Sequence, residues 1–333
     1  MKAYVVRLRE GQQSAVWENS PDPTVPPTGV VVKVTAAGLA WSDALQIEGA
    51  YVGKMPDLPF VAGHEFAGVV VDAAVDAEYR PGERVFGFLP SPAAFAEYVA
   101  VRSEHIRRTP DELSDLDAAA FTTSFLTADM ALFEVGMLAK NDSVLIHAGA
   151  GGVGRCAIQL AACQELETVM ATAGTPARRS AAETVGATAT AGYDTFDSMV
   201  MDRTNGRGVN VVLESIGGDV FDRSVRVTAP LGRVVTIGAS SGTPPERLKL
   251  PLLWQRSVSV FGLHIARLAT ERPDVLQRSW DRLQLLLAAG KINSAVGMTV
   301  SPMKIGDGIN ALRTRSVGGR VVIDFSERWS EVK

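Results

Sequence analysis

The residues Val144-Leu-Ile-His-Ala-Gly-Ala-Gly-Gly-Val-Gly154, followed by Arg155-Cys-Ala-Ile-Gln-Leu-Ala-Ala162, decide the fold of this chain. Three consecutive apolar residues, Val144 to Ile146, are typical of a short strand that is buried on both faces. Glycines then interrupt the strand, and beyond Gly154 the apolar residues recur at helical spacing. The stretch therefore predicts a strand, a tight glycine turn and a helix.

A glycine turn that leads into a helix is a site for an anion. Backbone without a Cβ can approach a ligand closely, and the unpaired first amides of the helix point their positive end at the same place. We expect the turn to hold the pyrophosphate of a dinucleotide, with Ala148, Gly151, Gly152, Val153 and Gly154 around it. Glycine-rich turns also occur in purely structural loops, so the surrounding pattern has to decide.

Further buried runs follow the turn at regular intervals. They span Thr168 to Thr172, Val209 to Leu213, Val234 to Ile237 and Ser257 to Phe261. A strand, a helix and a second strand at this spacing form the unit of an α/β fold with a doubly wound parallel sheet.

Length and composition limit the possible classes of protein. At 333 residues and 46% hydrophobic content, the chain is long enough for two domains with large cores. The net charge is −4, and the basic residues are scattered, so nucleic acid is not expected as a partner. The N-terminus lacks the apolar run of a signal peptide, and no run reaches membrane-spanning length. We expect a cytoplasmic protein.

The N-terminal third differs in texture from the rest. Short strands such as Ala3 to Leu8, Val30 to Val34 and Glu65 to Val71 lie close together and predict a small, mainly β, barrel-like domain. The predicted boundaries are 1–117 for this domain, 118–262 for the nucleotide domain and 263–333 for a return segment that completes the first domain. Within the return segment, Asp274 to Ala289 predicts an amphipathic helix.

Several separate motifs together resemble one family. They are Leu58-Pro-Phe-Val-Ala-Gly-His-Glu-Phe-Ala-Gly-Val-Val70, Gly82-Glu-Arg-Val-Phe-Gly87, Ala94-Phe-Ala-Glu-Tyr-Val99, the glycine turn, and Gly318-Gly-Arg-Val-Val322. In this order they are similar to the medium-chain dehydrogenase/reductase superfamily, and most similar to its zinc-free, quinone oxidoreductase-like branch. The resemblance implies a GroES-like catalytic domain, a Rossmann nucleotide domain and a small-molecule substrate.

The resemblance also bears on zinc. Zinc-using members take ligands from two cysteine positions, which hold Ala40 and Thr123 here, and from the histidine that matches His64. A catalytic zinc site usually needs three protein ligands, so a single histidine does not hold the metal tightly. The chain also lacks the cysteines of the structural zinc lobe, and we expect no bound metal.

Cofactor choice depends on the end of the second strand. An NAD-selective enzyme usually places Asp or Glu there, but this chain reads Ala171-Thr-Ala-Gly-Thr-Pro-Ala-Arg-Arg179. The resemblance puts Arg178 where a basic residue meets the 2′-phosphate of NADPH, with Gly174 and Thr175 on the adjoining loop. The alternative is that Arg178 and Arg179 are solvated helix residues.

Without zinc, hydroxyl or backbone donors must stabilise charge on the substrate oxygen. The family usually has an asparagine at the position of Ala40, so one polar contact is missing. Tyr51 matches the cleft tyrosine of the family and Thr127 a threonine near the nicotinamide, and both are expected to be catalytic. Alternatively, Tyr51 lines the pocket and Thr127 packs within its helix.

Other prominent residues are expected to be structural. Glu65 is expected to hold a backbone turn, and His147 is expected to be a structural residue at the end of its strand. Either lining the cleft or belonging to the core is expected for Trp41, Trp254 and His264. Cys156 and Cys163 lie seven residues apart on one predicted helix, too far for a disulfide, and are expected to be inert.

Taken with the resemblance, these features predict an NADPH-dependent, zinc-independent reductase of quinones or α,β-unsaturated carbonyl compounds. Two alternatives stay open: an enoyl-thioester reductase, and a non-catalytic NADPH-binding redox sensor or interaction module. The apolar run Val258, Val260 and Phe261 resembles a sheet edge, which predicts a homodimer joined across it.

Overall fold

A computed structural model describes residues 1–243, 248 and 250–326. The chain divides into two compact units, one formed by Met1–Thr123 with the chain from Asn293 onward, the other by Ser124–Ile292. Along the described part of the chain, no helix combines the length and hydropathy needed to cross a membrane.

The first unit is mainly β. Its N-terminal part contains β1 (Lys2–Arg9), β2 (Gln12–Asn19), β3 (Gly29–Leu39), α1 (Trp41–Glu48), β4 (Phe60–Val61), β5 (Glu65–Ala73), β6 (Arg84–Phe88), β7 (Tyr98–Arg102), β8 (Ile106–Arg108) and α2 (Asp115–Ala119). The connection between the units begins with α3 (Thr122–Asp129), which continues as a π-helical turn over Met130–Val135.

The second unit alternates strands and helices. Its elements are β9 (Val144–Ile146), α4 (Gly152–Ala162), β10 (Val169–Thr172), α5 (Pro176–Glu183), β11 (Ala189–Ala191), α6 (Phe196–Arg203), β12 (Val209–Glu214), α7 (Gly218–Val227), β13 (Thr228–Thr236), α8 (Leu250–Arg256), β14 (Ser259–Gly262), α9 (Ile265–Glu271) and α10 (Pro273–Ala288). The chain then returns to the first unit with β15 (Val296–Val300), α11 (Ile305–Arg313) and β16 (Arg320–Asp324).

Two sheets build the first unit. The larger has the order β15-β16-β3-β5-β6-β8, with β7 also paired to β3, and the smaller has the order β2-β1-β4. β16 pairs antiparallel with β3, from Val321 opposite Leu39 to Asp324 opposite Ala36. The core between these strands is apolar and fully buried at Phe66 and Phe95. The late strand β16 is therefore part of the same core as the N-terminal strands.

A parallel sheet with the order β11-β10-β9-β12-β13-β14 forms the second unit. The strand order reverses at β9, since β10 pairs on one side of it and β12 on the other. In doubly wound sheets, ligands bind outside the carboxyl ends of the strands at such a reversal. The predicted α/β fold is confirmed, and β9 has the bounds that the sequence predicts.

The domain boundaries differ from the prediction. The first unit extends to Thr123 rather than 117, and the chain rejoins it at Asn293 rather than 263. The helices α9 and α10 stay with the second unit because Arg282 on α10 forms an ion pair with the buried Asp129, and Arg278 with Glu134. Residues 327–333 of the predicted return segment lie outside the described residues.

Candidate functional site

The predicted dinucleotide turn lies at the carboxyl end of β9. Ala148 adopts a left-handed conformation with φ of 51°, and its carbonyl accepts a hydrogen bond from the amide of Gly151 at 2.8 Å. A Cβ on Gly154 would collide with that same carbonyl oxygen, so only glycine fits there. The amide of Gly149 donates to the carbonyl of Thr172 at 2.8 Å and fixes the turn to β10.

The turn leads directly into the first turn of α4. Gly151 is the N-cap residue and offers no side-chain cap, and Gly152, Val153 and Gly154 form the first helical turn. Amides at this position have no intrahelical acceptor and favour an anion. The structure thus brings together Ala148 and these four residues in an arrangement that fits a pyrophosphate.

The end of β10 carries no carboxylate. After Thr172 the chain runs through Ala173 and the exposed Gly174 to Thr175, the N-cap residue of α5. The Thr175 hydroxyl accepts from the amide of Arg178 at 3.3 Å, which places Arg178 in the first turn of α5. These residues lie beside the glycine turn, because β10 is the neighbour of β9.

Tyr193 is a candidate site residue that the sequence analysis does not identify. Its Cε2 lies 3.9 Å from where a Cβ on Gly174 would stand, so the ring flanks the loop that carries Thr175. Tyr193 follows β11, whose residues Ala189–Ala191 carry too weak an apolar signal to be recognised as a strand. The signal in the sequence is the place of Tyr193 directly after a third parallel strand, because the carboxyl ends of parallel strands lie at the same edge of the sheet as the glycine turn.

His147 is buried and forms hydrogen bonds through both ring nitrogens. Nε2 donates to Ser224 Oγ at 2.8 Å, because that hydroxyl gives its own proton to the carbonyl of Val220 at 2.6 Å. Nδ1 consequently accepts from the Thr172 hydroxyl at 2.9 Å. Burial, together with the nearby charge of Arg223, lowers the pKa of His147 to about 3, so the ring is neutral at physiological pH.

Tyr51 belongs to the first unit. Helix α1 ends at Gly49, whose φ of 71° turns the chain out of the helix two residues before Tyr51. Burial raises the pKa of the half-buried Tyr51 phenol, and the negative charge of Asp43 raises it further. The phenol is therefore protonated at neutral pH and able to donate a hydrogen bond.

Asp43 organises the residues around the missing zinc ligands. One carboxylate oxygen lies 2.8 Å from Nδ1 of His64, and the other accepts from the amide of Ala40 at 2.7 Å. Ala40 has no side-chain donor atom, and within residues 1–243, 248 and 250–326 no group of three His, Cys, Asp or Glu side chains is placed to hold a metal. The residues do not fit a catalytic zinc, and metal independence stays a prediction.

Glu65 binds the backbone of Thr123, a residue at one of the zinc-ligand positions of the family. Its Oε2 accepts from the amide of Thr123 at 2.8 Å, and its other oxygen forms an ion pair with Arg320 on β16. Both side chains are buried, and burial lowers the pKa of Arg320 to about 10. Glu65 thus fixes backbone, as expected, and it also binds the late strand β16.

The remaining predicted residues occupy different places. Thr127 is buried in α3, in the second unit, and its predicted role at the nicotinamide stays a prediction. Trp41 packs against the core of the first unit, whereas Trp254 on α8 is 66% exposed. His264 caps α9, since its Nδ1 accepts from the amide of Arg267 at 3.2 Å.

The cysteines are free thiols on or next to α4. Cys156 is buried, and Cys163 follows the last residue of the helix and is partly exposed. Burial raises the pKa of both thiols, which keeps them protonated and unreactive at neutral pH.

Comparison with known proteins gives matches to both units. Residues 26–111 match the family described as "Alcohol dehydrogenase GroES-like domain", and residues 152–281 match the family described as "Zinc-binding dehydrogenase". The quinone oxidoreductase-like protein 2 of Mus musculus is 30% identical over 317 residues, which cover 94% of this chain and 89% of that protein.

Solved structures are similar over the whole length. The quinone oxidoreductase of Thermus thermophilus, solved alone and in complex with NADPH, has a TM-score of 0.83 at 29% identity, covering 98% of this chain and 100% of that one. A quinone oxidoreductase of Pseudomonas syringae pv. Tomato has a TM-score of 0.86 at 27% identity, covering 97% and 100%. These similarities extend over both units and the glycine turn.

Proposed function

Because the chain belongs to the medium-chain dehydrogenase/reductase superfamily, we propose that this oxidoreductase is an NADPH-dependent, zinc-independent reductase of quinones or α,β-unsaturated carbonyl compounds. One observation carries the proposal. At the carboxyl ends of the strands in the parallel sheet, a turn suited to an anion at Ala148–Gly154 lies next to β10, a strand that ends without a carboxylate.

The choice of NADPH follows from the chemistry of that edge. A carboxylate at the end of β10 would repel a 2′-phosphate, whereas the loop at Gly174 and Thr175 leads to Arg178. A planar guanidinium forms bidentate hydrogen bonds with phosphate. The NADPH complex of the Thermus thermophilus relative supports the same cofactor.

A nicotinamide cofactor, when bound, would supply the hydride, and the side chains of the site would stabilise the charge that develops on the substrate oxygen. The protonated Tyr51 phenol is suited to donate to that oxygen. Thr127 is proposed to contact the nicotinamide. Ala40 offers no polar side chain, so in this proposal hydroxyl and backbone donors stabilise the charge on the substrate oxygen without a metal ion.

A screen of electron acceptors that follows the NADPH absorbance tests the proposal. We expect turnover of simple quinones or enones with NADPH, and we expect this turnover to persist in chelator.

Arg178→Ala is expected to weaken the binding of NADPH about ten- to a hundredfold and that of NADH far less, because it removes a charge-assisted phosphate contact. Arg203→Ala, which removes an exposed arginine on α6, is the control. A wild type that prefers NADH would overturn the assignment.

The same screen separates the other candidate activities. Turnover of a crotonyl thioester in preference to every quinone would indicate an enoyl-thioester reductase. Tight binding of NADPH without oxidation by any acceptor would indicate a redox sensor or an interaction module, and would contradict the proposed activity.

A further inference from the structure

The loop between β11 and α6 forms one wall of the proposed NADPH pocket. It carries Tyr193, whose ring stands beside Gly174 on the loop before Arg178. The ring also stacks on the imidazole of His147, with ring centres 6.3 Å apart and an angle of 29° between the planes. Tyr193 therefore stands beside the loop of Gly174 and Thr175, where the proposed function puts the 2′-phosphate.

Arg223, on α7, holds this loop through its backbone. Nη1 donates to the carbonyl of Tyr193 at 2.7 Å, and Nη2 donates to the carbonyl of Asp194 at 3.1 Å. Two consecutive carbonyls of the loop thus bind one guanidinium. Such a fork fixes both the position and the orientation of the peptide between them.

The guanidinium is itself held in place. Nε donates to Asp197 at 2.9 Å, Nη2 also pairs with Asp197, and Asp219 lies 3.6 Å from Nη1. The guanidinium carbon Cζ lies 4.6 Å from the centre of the Phe196 ring, within cation–π distance. With partners on every nitrogen and only 21% of its side chain exposed, Arg223 has little freedom to move.

The next residue on α7, Ser224, holds the imidazole on which Tyr193 stacks. Ser224 accepts the hydrogen bond of His147 Nε2, and Thr172 holds the opposite nitrogen. One turn of α7 therefore fixes both the loop that carries Tyr193 and the ring on which Tyr193 stacks. None of these residues belongs to the glycine turn or to α5.

We propose that Arg223 is a positioning residue for NADPH selectivity, which fixes Tyr193 as a rigid wall against the 2′-phosphate held by Arg178. The inference rests on the proposed function. A wall that is already ordered saves the entropy cost of ordering the loop when the cofactor binds. Because NADH lacks the 2′-phosphate, loss of this wall affects NADPH selectively.

Titration of the full-length protein with NADPH and with NADH tests the role of Arg223. Arg223→Gln is expected to weaken NADPH about tenfold or more and NADH less than threefold, since an amide cannot hold both carbonyls and Asp197. Arg223→Lys is expected to recover part of the preference. Arg226→Gln, an exposed arginine on the same helix, is the control and is expected to change neither affinity.

A double-mutant cycle shows whether Arg223 acts through Tyr193. In a Tyr193→Ala background, Arg223→Gln is expected to change the NADPH-to-NADH affinity ratio less than twofold. Asp197→Asn removes the ion pair that holds the guanidinium but keeps Arg223 itself, and it provides a milder variant if Arg223→Gln does not fold. It is expected to lower the NADPH-to-NADH affinity ratio by a smaller factor.

The outcomes distinguish this inference from the proposed function. A wild type with equal affinity for NADPH and NADH overturns the cofactor assignment. A wild type that prefers NADPH, combined with an Arg223→Gln variant that weakens both cofactors equally or neither, overturns the role of Arg223 and leaves the proposed function standing. If Arg223→Gln has the same effect in the Tyr193→Ala background as in the wild type, Arg223 does not act through Tyr193, and the inference is wrong.

Discussion

Tyr51 is the residue on which the proposed chemistry depends most. Its phenol is protonated because burial and the charge of Asp43 both raise its pKa. If it donates to the substrate oxygen in the transition state, Tyr51→Phe lowers turnover about ten- to a thousandfold with little change in NADPH affinity. Single-turnover hydride transfer at saturating NADPH measures the effect.

Tyr98→Phe serves as the matched control for this substitution, because Tyr98 is another half-buried tyrosine of the first unit. A Tyr51→Phe rate within about twofold of wild type would assign the donor role to backbone amides instead.

His147 gives the protein a pH-dependent stability. Its folded pKa of about 3 lies below the ordinary value of 6.5, so folding favours the neutral ring. This contribution is complete above pH 6.5 and is lost as pH falls toward the folded value, because the unfolded chain binds the proton first. Each pH unit in this window costs up to about 1.4 kcal/mol of unfolding free energy.

Urea unfolding at several pH values between about 4.5 and 6.5, the upper end being the ordinary histidine pKa, tests this linkage. His147→Gln is expected to be less stable than wild type at neutral pH, yet to lose stability less steeply as the pH falls. Equal slopes for the two proteins would show that His147 does not titrate in this way.

At the scale of the element, the glycine turn is the most constrained segment. A Cβ at position 154 would meet the carbonyl of Ala148, so Gly154→Ala has to open the turn. We expect a destabilisation of about 1–3 kcal/mol and at least a tenfold loss of NADPH affinity, because the helix amides are displaced. Gly306→Ala in α11 is the control, since a Cβ there has open space. An unchanged NADPH affinity in Gly154→Ala would separate the turn from cofactor binding.

The sequence predicts the elements whose signals are local. Val144–Ile146 is apolar throughout, and the glycines after it bound the strand and the helix. It does not predict β11, because Ala189–Ala191 becomes a strand through its pairing with β10 rather than through its own propensity. Tyr193 was missed for the same reason.

The difference between the predicted domain boundary and the compact units has a similar physical origin. Chain position predicts that α10 belongs to the return segment, yet Arg282 pairs with Asp129, 153 residues earlier. An ion pair between residues so far apart leaves no periodic signal in the sequence. Likewise, the pairing of Arg223 with the Tyr193 loop could not be inferred from spacing, because it depends on how α7 packs against α6.

At the scale of the whole molecule, the edge of the parallel sheet predicts how the chain assembles. Among the described residues β14 pairs only with β13, and large apolar side chains are exposed at Phe261 on this strand and at Trp254 and Leu250 on α8. Exposed apolar strand edges are normally paired or covered. We expect a homodimer joined across β14.

Light scattering at micromolar concentration measures this assembly. Phe261→Lys is expected to give a monomer, because it places a charge at the edge. Thr190→Lys on β11, the opposite edge of the same sheet, is the control and is expected to stay dimeric. A monomeric wild type would contradict the prediction.

The pairing of β16 with β3 has a consequence for biosynthesis. Gly29–Leu39 leaves the ribosome early, but its partner strand Arg320–Asp324 is translated only after the entire second unit. Domains generally fold as units during synthesis, so the second unit can reach its native structure before the N-terminal strands have their partner. During this interval the edge of β3 near Leu39 lacks its native partner strand and is open to pairing with other strands.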